Sequence, residues 1–195
     1  MDSTWSTVAR RAVEGLGVAA GELVLVRDLA GRPEALTEVL LAIEQRGATP
    51  LPEIIPVSYQ RRLLTSAPMT YLAEWDTHRV RWVQVADRIL VLEGADLDTT
   101  EVPPEAFAAW AAAGDRLNAI DEERRLPYLL LAVPTTERAA ALGLSLTELD
   151  AIVLPALTAD RAELDHEMAR VRAAVGQAQT LTIATGNDCE LSLAR

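Results

Sequence analysis

Three short apolar runs, at Leu23 to Val26, Arg88 to Leu92 and Tyr128 to Val133, constrain this fold most. A strand with one wet face alternates apolar and polar residues. A near-continuous run belongs instead to a sheet covered on both faces, the usual setting of parallel strands. The segments between the runs carry a helical period. Trp5, Val8, Ala9, Ala12 and Val13 recur at helical spacing, and Gly15 and Gly17 close that helix. Pro33 opens a second helix with Leu36, Val39, Leu40 and Ile43 on one face, and Gly47 closes it. Leu51 to Val57 reads as a strand, but Pro52 and Pro56 each lack an N–H, which makes it short or places it at a sheet edge.

Farther along, the pattern predicts helices over Tyr59 to Thr65 and Thr70 to Val83, and a long alanine-rich helix from Pro103-Pro104 to about Ile120. A short helix is expected over Thr135 to Leu142. Ser145-Leu146-Thr147-Glu148 is a capping-box pattern, in which hydroxyl and carboxylate satisfy each other's free N–H groups. Leu164, Met168, Val171 and Val175 form one apolar stripe, and Leu181 to Ala184 reads as a fifth core strand. Strand followed by helix, five times, predicts an α/β fold of three layers: a mostly parallel, Rossmann-like sheet of about five strands with helices on both faces. Gly186-Asn187-Asp188 reads as a tight turn, and Cys189 to Leu193 as a strand that begins a second unit. The expected organisation is an α/β domain over residues 1–185, with 186–195 starting a second, metal-binding domain whose remainder is absent.

Charge and composition exclude several function classes. The formal net charge is −11 and no basic patch is visible, so nucleic acid and anionic membrane surfaces are not expected partners. No apolar run approaches the ~20 residues that span a bilayer. The single cysteine, Cys189, makes no internal disulfide, and the polar N-terminus is no signal peptide, so a cytoplasmic location is expected.

No catalytic constellation is complete. The turn after the first strand, Arg27-Asp28-Leu29-Ala30-Gly31-Arg32-Pro33, has one glycine, which speaks against a dinucleotide fingerprint and a P-loop. Glu163 and His166 share a helix face at i, i+3, but two-metal bundles use that pair twice, with glutamates from two further helices. A solvated polar face is the simpler reading, and His78 has no spaced partner. No Gly-x-Ser-x-Gly elbow occurs. Cys189 lies between Asp188 and Glu190, which do not favour a thiolate. Asp121-Glu122-Glu123 reads as a solvated helix end, and Trp75, Trp82 and Trp110 as core or interface residues. Ligands in open α/β sheets bind beyond the C-terminal strand ends. Here those ends carry Asp28, Glu93-Gly94, Pro134-Thr135 and Gly186-Asn187-Asp188, the candidates for a cleft or a domain interface.

The order of segments resembles the N-terminal region of the aminopeptidase T family of metallopeptidases. Val18 to Val26 is similar to its opening turn and strand, and Ala42 to Pro50 to its second helix-to-strand passage. Arg88 to Glu93, with Asp98-Thr99-Thr100-Glu101 and the proline-started helix, resembles its third strand and crossover. Leu126 to Glu148 is the nearest match, with Pro134-Thr135, Ala139, Leu144-Ser145 and Glu148. Gly186, Asp188 and Arg195 fall where the family has a Gly-Thr-Asp-Leu turn and a Gly-Arg strand end, although Asn187, Cys189 and Ala194 depart from it.

The resemblance implies a scaffold domain of an enzyme that releases N-terminal amino acids from peptides. It also implies two divalent metal ions of zinc or cobalt type in the complete enzyme, and homodimers. The family's metal ligands are glutamates, histidines and an aspartate of a later domain, and no residue here matches them. No catalytic, cofactor-binding or metal-ligating residue is therefore assigned to this chain, which alone is expected to be inactive. Two alternatives stand beside this one: a non-catalytic α/β binding module, and the N-terminal half of a related ring-opening iron dioxygenase.

Overall fold

The structure, a computed structural model, describes residues 3–177, 180–184 and 190–194. The chain forms two compact units, Met1–Leu157 and Thr158–Arg195.

The first unit is built on a parallel sheet of four strands: β1 (Leu23–Asp28), β2 (Thr49–Ile54), β3 (Arg88–Glu93) and β4 (Tyr128–Ala132), in the order β2-β1-β3-β4. The central strands are apolar throughout because both their faces are covered. Val24, Val26, Leu90 and Leu92 pack beneath α1 (Thr4–Leu16) and α2 (Pro33–Gln45). Leu25, Ile89 and Val91, pointing the other way, pack with Val83 of α5 (Val80–Val85) and with Ala113 and Leu117 of α6 (Pro104–Arg124). Leu25, Ile89 and Leu90 are fully buried, which contributes roughly 1.5–3 kcal/mol for each side chain. The expected three-layer α/β architecture is thus what forms.

Local signals set several boundaries. Gly17 caps α1 in the left-handed conformation at φ 73°. Pro33 stands in the first turn of α2. β2 does lie at a sheet edge, and it ends at Ile54, short of the predicted Val57, which instead starts α3 (Val57–Ser66). The Ser145–Glu148 capping box forms at the start of α8 (Leu146–Leu157): Ser145 N donates to Glu148 Oε2 at 2.8 Å, and Glu148 N to Ser145 Oγ at 3.2 Å.

Other expectations are corrected. The helix predicted over Thr70 to Val83 is two pieces, α4 (Met69–Ala73) and α5, broken at Glu74–Arg79. Trp75 is buried there with its ring edge-on to Trp110 of α6, 5.7 Å between centroids, and Arg79 stacks over it at 4.0 Å. Seating the indole in the core outweighs continuing the local helix. The long helix runs to Arg124, past Ile120, and ends on Arg125 in the left-handed region. Leu126-Pro127 leads into β4, and Val133-Pro134-Thr135 separates it from α7 (Thr136–Ala141).

The second unit contains α9 (Arg161–Gln177), β5 (Thr180–Ala184) and β6 (Glu190–Ala194). β5 is not a fifth strand of the parallel sheet. It pairs antiparallel with β6 in a two-stranded sheet of its own. Residues 185–189 alone separate the two strands, and a parallel crossover needs a dozen residues or more. The predicted boundary at 185/186, the turn at Gly186-Asn187-Asp188, Cys189 and Arg195 lie outside the described residues. Among the described residues no helix is long and apolar enough to cross a membrane.

Candidate functional site

At the C-terminal edge of the four-stranded sheet, the connections after all four strands converge. The chain leaves β1 for β2 on one side and returns past β1 to β3 on the other, so the connections diverge between β1 and β3. A crevice forms where they part. Here it is a cleft of about 360 Å³, a volume suited to a small ligand. Arg32, Glu34, Ser58, Thr135, Thr136 and Glu137 supply its polar lining, and Pro33, Pro56 and Pro134 stiffen its walls.

Three of the four strand-end signals meet here. Asp28, at the end of β1, is 1 % exposed, and its Oδ1 accepts from Ala30 N at 3.1 Å and Gly31 N at 2.9 Å. This closes the loop into a tight turn that ends at the start of α2. Burial holds the Asp28 carboxyl above its ordinary value, against the two amides, which pull it down. Gly94, just after β3, sits where three loops touch. A Cβ there would lie 2.8 Å from Ala30 Cα and 3.1 Å from Thr135 Cγ2. Thr135 is buried and caps α7, its Oγ1 accepting from Arg138 N. The fourth signal, Gly186-Asn187-Asp188, lies outside the described residues.

The most connected residue of the cleft was not legible as such in the sequence. Arg32 donates to both carboxylate oxygens of Asp150 on α8, at 2.6 and 2.7 Å, and to Pro134 O at 3.2 Å. Its guanidinium also lies 4.9 Å from the centre of the Trp5 ring. One side chain thus joins the β1–α2 loop to the β4–α7 loop, α8 and α1. Its position immediately before a helix-opening proline is a signal the sequence carries, whereas its partner is 118 residues away.

The other charged candidates fall elsewhere. His78 and His166 are both exposed, as is Glu163. Asp121 corrects the reading of Asp121-Glu122-Glu123 as a solvated end. Glu122 and Glu123 are exposed, but Asp121 turns inward to Arg27, 3.6 Å away, and burial raises its carboxyl above the ordinary range. Arg27 in turn meets buried Glu53 on β2, which Arg79 also meets at 2.8 Å. This network lies on the α6 side of the sheet and braces it. Trp75 belongs to the core.

The divalent metals that the aminopeptidase resemblance implies find no fit at these residues. Among the described residues no three His, Cys, Asp or Glu side chains are grouped to hold a metal ion. The buried carboxylate at the end of β1, Asp28, is already engaged by two backbone amides. The described residues therefore offer no site through which a metal-assisted step could run.

The fold has known counterparts. Wild-type AmpT from Thermus thermophilus, an aminopeptidase T, superposes with a TM-score of 0.63 at 19% identity, over 92% of this chain and 50% of that one. The 2,5-dihydroxypyridine dioxygenase of Pseudomonas putida KT2440 superposes with a TM-score of 0.50 at 12% identity, over 99% of this chain and 48% of that one. At these identities the likeness establishes the fold alone. The chain spans about half the length of the solved structures it matches. No family model matches the sequence, and no curated protein matches it.

Proposed function

We propose that this chain serves as the scaffold domain of an aminopeptidase T-like metallopeptidase, an enzyme that releases N-terminal residues from peptides. The observation that carries the reading is the superposition of 92% of the chain on half of AmpT. The order of sequence segments independently resembles the N-terminal region of that family. On this reading two divalent ions, zinc or cobalt, are held by residues outside this chain. The cleft at the strand ends is the surface a metal-bearing domain would face, the protein works in the cytoplasm, and this chain alone does not cleave peptides.

A second reading has its own observation. The superposition on the pyridine dioxygenase covers 99% of the chain, and supports the same scaffold beside an iron site for ring opening.

One experiment separates them. The chain is expressed together with the coding sequence that follows it and assayed for release of N-terminal residues from short peptides, with and without chelator, and for oxygen uptake with dihydroxylated aromatic rings. Chelator-sensitive peptide cleavage supports the first reading, and oxygen consumption the second. A downstream sequence without a His, Glu and Asp ligand set removes both and leaves a binding module. Chelator-sensitive cleavage by the 195-residue chain alone overturns the assignment of the metal ligands to other residues.

A further inference from the structure

We draw no further inference here: the strongest candidate, the cleft at the C-terminal ends of the strands, belongs to the site already described, and beyond its volume it offers a ligand only the N-termini of α2 and α3, since its buried side chain Thr135 already accepts from Arg138 N.

Discussion

The Arg32 guanidinium holds Asp150 through two parallel hydrogen bonds of 2.6 and 2.7 Å, across 118 residues of sequence. The pair is about one-fifth exposed or less on each side, at 16% and 22% of the side chains. The planar fork matches both carboxylate oxygens, a geometry that lysine cannot copy. It fixes the first turn of α2 against α8 and so holds one wall of the cleft.

Replacing Arg32 by lysine is therefore expected to destabilise the first unit by about 1–3 kcal/mol. Asp150→Asn should cost a similar amount. The two changes together should cost clearly less than their sum, because they break one interaction. Urea denaturation of the single and double variants measures this coupling, and strict additivity would show that the two groups act separately.

Asp28 is expected to separate hydrogen bonding from charge. Asp28→Ala leaves the Ala30 and Gly31 amides without their acceptor and should cost about 1–3 kcal/mol. Asp28→Asn keeps an acceptor and removes a buried charge. The folded-state value of the carboxyl is raised above its ordinary 3.8, so the folded chain holds the proton more tightly than the unfolded one. The cost of ionising it is absent below that ordinary value and appears as pH rises through the folded value. Melting curves should show the asparagine variant gaining on the parent between acid and neutral pH; a constant offset would contradict the sign.

Glu22 and Arg88 predict the opposite dependence. Arg88 Nε donates to Glu22 Oε2 at 2.6 Å and Arg88 NH2 to Oε1 at 2.8 Å, tying the turn before β1 to the start of β3. The Arg88 hydrogen bond lowers the Glu22 carboxyl below its ordinary 4.5. This contribution is fully present above 4.5 and is lost as pH falls through the folded value. Glu22→Gln should cost about 1–2 kcal/mol at neutral pH, and the gap to the parent should close in acid. Paired denaturation series at both pH values give the comparison.

Two glycines should respond in opposite directions. At Gly94 an added Cβ meets Ala30 Cα at 2.8 Å, so Gly94→Ala must push apart the loops that build the cleft, at about 1–3 kcal/mol. At Gly114, inside α6, a Cβ meets nothing within 4 Å, and Gly114→Ala should stabilise by about 0.5–1 kcal/mol. Thermal melts of both variants are sufficient, and a destabilised Gly114→Ala would contradict the open space beside α6.

Sequence alone determined where the core strands and most of the helices lie, and that the sheet is parallel and covered twice. Burial on two faces removes the polar residues from a strand such as Leu23–Val26, and a covered helix repeats its apolar residues every third or fourth position. Both signatures are local and survive in one dimension. Asp28, Gly94 and Thr135 were legible as strand-end residues for the same reason. Their meeting at one edge follows from the strand order β2-β1-β3-β4. Only the tertiary structure decided that order, the burial of Asp121 against Arg27, the break before α5 that seats Trp75, and the choice of Asp150 by Arg32. Each depends on which distant surface arrives beside a given side chain. Such arrivals are set by packing the whole sheet and its helices at once, and no window of sequence contains both partners.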